Sequence, residues 1–113
     1  MGKTVIKSDK TLLWTNPSPT ATFWPQTITL DLSKYKEVEI IFRLNSSEDL
    51  QMRSQVNVGT GGIVTNARPD NFLSQERRFT VSLTGITFAD CKIGANAEIY
   101  NNHSIPTHIY GIK

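Results

Sequence analysis

The sequence predicts an all-β fold: a single antiparallel β-sandwich of jelly-roll-like or Greek-key type, with little or no helix. Three features of the chain predict it. Apolar and polar residues alternate in several segments, the period-2 signature of strands with one buried face. Gly, Asn, Ser and Pro punctuate those segments at spacings of about ten residues, as in sandwiches and small barrels. No stretch repeats apolar residues at spacings of three and four behind a capped start, so no helix is predicted. At 113 residues the chain is too short to divide into two units that each bury a core. Residues 1–113 are therefore expected to form one domain, with residues 1–10 as an extended N-terminal arm.

In chain order, Thr15-Asn-Pro-Ser-Pro-Thr is a stiff, extended connection, because its prolines fix the backbone. Gln26-Thr-Ile-Thr-Leu-Asp-Leu places Ile28, Leu30 and Leu32 on one face and Thr27, Thr29 and Asp31 on the other. After a polar turn at residues 34–36, Val38, Ile40, Phe42 and Leu44 alternate with Glu37, Glu39 and Arg43. These two strands are expected to neighbour each other as an antiparallel pair. Asn45-Ser-Ser-Glu-Asp has turn chemistry. A third strand then turns Met52, Ser54, Val56 and Val58 inward and ends at Gly59-Thr-Gly-Gly, where glycine permits a sharp reversal. Ile63 and Val64 start a return strand, and residues 66–74, with Pro69, read as a long loop. Alternation resumes from Gln75 through Phe79, Val81 and Leu83. Gly85-Ile-Thr-Phe and Cys91-Lys-Ile-Gly suggest two short strands joined by a tight turn, and Ile105, Ile109 and Tyr110 mark a terminal strand.

Composition excludes several function classes. Twelve basic against ten acidic residues leave a net charge of +2, far from the clustered positive field that nucleic-acid binding needs. Lys3, Lys7 and Lys10 surround only two bulky apolar residues, which is no signal-peptide core, and no apolar run approaches the ~20 residues of a membrane helix. The single cysteine, Cys91, cannot form an internal disulfide, which fits synthesis in a reducing cytoplasm.

No local pattern supplies catalytic machinery or a cofactor site, and the chain is expected not to be an enzyme. His103 and His108, five residues apart across Pro106, lack the further ligands of a metal motif. No Gly-x-Ser-x-Gly elbow is present, and Cys91 in an alternating segment reads as a small buried hydrophobe. Glu37 and Glu39 share a strand face and could act as paired carboxylates, but they read as a solvated face paired across strands with Arg43 and Arg53. Gly59-Thr-Gly-Gly lacks the Gly-Lys-Ser/Thr ending of a phosphate loop. The adjacent Arg77 and Arg78 read as surface residues. Aromatics are the stronger binding candidates, because a loop-borne tryptophan can stack on a sugar ring or fill a partner's pocket. Trp14 is expected in the core, whereas Trp24, Phe72 and Tyr100 lie in turn-rich surroundings. Asn101 and Asn102 beside Tyr100 suit a carbohydrate-reading loop. The expected contact set for a partner or glycan is therefore Trp24, Phe72, Tyr100, Asn101 and Asn102.

Three phrases carry a resemblance: Leu13-Trp-Thr-Asn-Pro-Ser-Pro-Thr-Ala-Thr-Phe; Gln26-Thr-Ile-Thr-Leu-Asp-Leu-Ser-Lys-Tyr followed by a strand ending Phe42-Arg-Leu; and Ile105-Pro-Thr-His-Ile-Tyr-Gly-Ile-Lys. Together they resemble small proteins and tail-fibre-end domains of phages and prophages of gut and Firmicute bacteria. The resemblance spans most of the chain and supplies no site residues. Ser104 stands where such relatives often carry a cysteine before Ile-Pro. The resemblance implies a virion protein, of tail-fibre, baseplate or head-decoration type, made in the host cytoplasm and released by lysis. It implies self-association, with a trimer preferred because fibre tips commonly use three-fold symmetry, contacts with other virion proteins, and a host-surface glycan as ligand. A non-catalytic carbohydrate-binding module is the alternative, since Leu30-Asp-Leu-Ser-Lys-Tyr-Lys also resembles a phrase of sugar-binding sandwiches.

Overall fold

The computed structural model describes residues 10–67, 74–94 and 96–113, and among these it contains strands and no helix. The strands are β1 (Lys10–Thr15), β2 (Gln26–Thr29), β3 (Glu37–Asn45), β4 (Gln51–Asn57), β5 (Gly61–Ala67), β6 (Ser74–Ser82), β7 (Gly85–Ile93), β8 (Glu98–Ile99) and β9 (His103–Ile112). They form two antiparallel sheets, one ordered β1-β9-β3-β4 and the other β2-β7-β6-β5, with β8 also on β7. The fold is all-β and sandwich-like. Pairing of β1 with β9 and of β2 with β7 brings the early strands alongside the late ones, so both sheets contain strands distant in sequence. Local hairpins β3–β4, β5–β6 and β6–β7 complete the sheets.

Alternation on β3 sends Val38, Ile40, Phe42 and Leu44 into the interior, where all are buried. Val38, Ile40 and Phe42 meet Phe79 and Val81 of β6 and Ile86 and Phe88 of β7 from the opposite sheet. Phe88 lies at the centre of an aromatic group, with ring centroids 5.4 Å from Phe23, 6.3 Å from Phe42 and 6.0 Å from Phe79. The edge-to-face angles of 88° to Phe23 and 82° to Phe42 set the positive ring edge of one against the negative face of the other.

Several sequence expectations are corrected. The segments at 26–32 and 37–44 are not partners: β2 pairs with β7, and β3 lies between β9 and β4 in the other sheet. The strand also ends at Thr29, after which Leu32 is buried while its N–H donates to the Leu83 carbonyl. Gly85 to Ile93 form one strand, not two, with an irregularity that sets Arg77 opposite Cys91 and Phe79 opposite Phe88. That leaves Ala89 and Asp90 facing Arg78 alone, a β-bulge that bends β7. Leu83 lies in the β6–β7 turn and is 60% exposed rather than inward. Lys10–Thr15 is an edge strand, and the expected arm lies outside the described residues apart from Lys10. A register shift between Leu12 and Trp14 sets both Leu13 and Trp14 against the core, so neighbouring residues are apolar and the period-2 signal is lost.

Candidate functional site

The strand order builds one distinctive edge. Because β6 occupies one side of β7, both β2 and β8 share its other side, β2 along residues 85–88 and β8 along 92–93. The chain segments entering β2 and leaving β8 are then tied together, since the Phe23 N–H donates to the Asn101 carbonyl at 2.8 Å. Phe23 and Asn101 are buried. Trp24 and Tyr100, each one residue from that bond, stand outward, 65% and 44% exposed. Ile99, also exposed, continues the apolar strip along β8.

Both aromatic residues stand on anchored backbone. The preceding loop is fixed at its start by Asn16, whose N–H donates to the Thr107 carbonyl and whose Nδ2 donates to the Pro106 carbonyl. Asn16 Oδ1 also accepts the Ser18 N–H, closing an Asx turn. At its end the Phe23 ring packs edge-on to Trp14 at 6.4 Å, and Pro25 holds Trp24 away from helical backbone. Tyr100 is held by its N–H to the Cys91 carbonyl and by its hydroxyl, which donates to Glu98 Oε2 at 3.0 Å. That carboxylate pushes the phenol pKa up.

Behind this edge lies a buried polar network centred on Arg77, which is fully buried in the inward row of β6 with Gln75, Phe79 and Val81. The expectation that it lies at the surface is corrected; the same alternation that turns Phe79 and Val81 inward turns Arg77 inward. Arg77 Nε donates to the Ser104 carbonyl at 2.8 Å, Nη1 to the Ala89 carbonyl at 2.8 Å and Nη2 to the His103 carbonyl at 2.9 Å. Longer bonds run from Nη1 to Asn101 Oδ1 and from Nη2 to the Asn101 carbonyl. Its guanidinium also lies 5.4 Å from the Phe23 ring centroid. Loss of hydration pushes its pKa down to about 10, still far above neutrality, so a cation is held between the sheets.

Asn101 is part of this network and not of a glycan-reading loop, which corrects its expected role. It is 5% exposed; Oδ1 accepts the Cys91 N–H at 2.8 Å, and Nδ2 donates to Asp90 Oδ1 at 2.7 Å. Gln75 extends the network, with Nε2 donating to the Leu44 carbonyl and to Ser104 Oγ. Since Gln75 Oε1 can only accept, the His103 Nδ1 beside it carries the proton. Cys91 is buried, and desolvation pushes its thiol pKa up, which makes it a poor nucleophile.

Of the expected contact set, Trp24 and Tyr100 share the edge, and Asn102 is half-buried beside it with its carbonyl accepting the Ser46 N–H. Phe72 lies outside the described residues. His103 and His108 have separate partners, Gln75 and Thr107. Among the described residues no group of three or more His, Cys, Asp and Glu side chains is placed to hold a metal ion. Glu39 is outward on β3 as expected but is not solvated: its side chain is 6% exposed between Lys10 at 3.0 Å and Arg53 at 3.5 Å. The arrangement at the edge offers two aromatic faces, a phenol hydroxyl and polar neighbours on a rigid base, the chemistry of recognition by stacking and hydrogen bonding. Comparison with known proteins finds no family model, no curated protein and no solved structure that matches the chain.

Proposed function

We propose that this chain is a non-catalytic structural and recognition module of a bacteriophage virion, in a tail fibre, baseplate or head decoration, which contacts host-surface glycan through the Trp24–Tyr100 edge. The observation that carries the recognition half is the exposure of Trp24 on an anchored backbone. Leaving about two-thirds of a tryptophan in water forgoes roughly 3 kcal/mol of burial. A ligand that covers it recovers that energy with little loss of backbone freedom, because the loop is already fixed. The virion half rests on the three sequence phrases that resemble phage tail-fibre-end proteins. Mass spectrometry of purified particles and immunogold labelling test it: this chain at the tail or capsid surface of intact particles is the expected result. Its absence from particles, with its gene among polysaccharide-degrading genes, favours the second reading, a non-catalytic carbohydrate-binding module, which the same exposed aromatics support.

A further inference from the structure

We infer that the outer face of the four-stranded sheet carries a second, separate site that takes one neutral pyranose ring. A trough of 240 Å³ opens there, walled by Pro19 from the anchored loop and by Arg43, Asp49, Gln51, Thr107 and His108 from the β3–β4 end and β9. Its volume equals that of about eight water molecules and falls below the ~300–1,000 Å³ of pockets for drug-sized ligands, so it suits a single small ring.

Arg43 and His108 are held by their neighbours, and with the exposed Asp49 and Gln51 they form a mixed donor and acceptor pattern. Arg43 Nε donates to the Asn45 carbonyl at 2.9 Å, and its Nη1 lies 3.2 Å from Asp49 Oδ1. This pair presents a guanidinium and a carboxylate side by side with no net charge. Adjacent hydroxyls of a sugar, each both donor and acceptor, match such a pair, whereas a free anion or cation meets its like charge. His108 adds an acceptor. Thr107 Oγ1 spends its one proton on the Ile41 carbonyl at 3.1 Å, so the His108 Nδ1 at 2.9 Å must donate to it. In the neutral ring Nε2 then carries a lone pair. Stacking of His108 on Tyr110, at 6.3 Å and 20°, holds that ring in place. Gln51 supplies both an amide donor and an acceptor, and Pro19 offers an apolar wall to the C–H face of a sugar. The site rests on this geometry and not on the aromatic edge.

Amide NMR titration of the whole chain with methyl glucoside, methyl galactoside, methyl mannoside and N-acetylglucosamine tests it. For at least one sugar, saturable shifts are expected at residues 43, 49, 51, 107 and 108. Gln51→Ala, an exposed strand position, and His108→Phe, which keeps an aromatic ring on Tyr110, should each weaken binding about tenfold. Absence of saturable shifts with every sugar, inorganic phosphate binding in their place, or unchanged affinity in both variants overturns the site. Shifts confined to residues around Trp24 and Tyr100 also overturn it, while supporting the proposed edge.

Discussion

Arg77 and Trp24 divide the labour of the candidate site at the level of single residues. Arg77 takes its acceptors from β7 and β9, which belong to different sheets, so its planar fork joins the sandwich where the aromatic edge is anchored. Lysine, with three donors on a point charge, cannot reproduce that fork. Arg77→Met is expected to cost about 3 kcal/mol or more in urea unfolding, because buried carbonyls lose their donors, and Arg77→Lys should not restore it. Asn101→Ala should cost about 2 kcal/mol by the same measurement, whereas Trp24→Ala and Tyr100→Ala should stay within about 0.5 kcal/mol. Asn101 proving neutral while Trp24 proved costly would reverse the roles assigned to them. Cys91 gives a pH dependence. Its folded pKa is raised above the ordinary 9.0, so its contribution to stability is present below that pH and is lost as pH rises beyond it. The lowered pKa of Arg77 acts in the opposite sense, but only from about 10 upward. Between about pH 8 and about pH 10 the urea midpoint should therefore fall less in Cys91→Ala than in the parent chain. Equal slopes would contradict the assignment.

At the scale of elements, strands with a clean inner row were legible in the sequence: β3 through Val38, Ile40, Phe42 and Leu44, and β6 through Phe79 and Val81. What was not legible traces to bulges and to partners. The bulge in β1 places Leu13 and Trp14 together on the core and hides the strand, and the bulge at Ala89–Asp90 makes β7 look like two pieces. Alternation states which face is buried but not which strand lies alongside, so proximity in sequence points β2 to β3 although it pairs with β7. The candidate site was half legible for the same reason. Turn-rich surroundings pointed to Trp24 and Tyr100, but nothing local shows that Asn101 turns inward to meet an arginine from β6. Pairing of β2 with β7 also rests on one close approach. A Cβ at Gly85 would run into the Ile28 carbonyl and come within 3.2 Å of Thr29 Cα, on backbone whose φ of +156° disfavours a side chain. Gly85→Ala is therefore expected to destabilise the fold by about 2 kcal/mol or more and to quench less of the protection of the β3–β9 amides than of the β2 amides in hydrogen exchange. Uniform loss of protection across both sheets would show that β2 is not a separable edge.

For the whole molecule, the two sheets serve different surfaces. One carries the aromatic edge along β2 and β8, and the other carries the charged layer of Lys10, Glu39 and Arg53 and the trough beside it. The proposed virion role carries an expectation of self-association, with a trimer preferred: light scattering over a dilution series should return a mass near three times the 12.7 kDa of the chain. A strict monomer would move the carbohydrate-binding module to first place. The aromatic edge is common to both readings, and binding to a glycan array carrying bacterial surface polysaccharides tests it most directly, with the parent chain compared against Trp24→Ala and Tyr100→Ala. Selective binding by the parent, weakened by about 2 kcal/mol or roughly thirtyfold in Trp24→Ala at unchanged urea stability, is the predicted result. Binding of equal strength in both variants, or no glycan bound by a folded parent chain, would contradict the account.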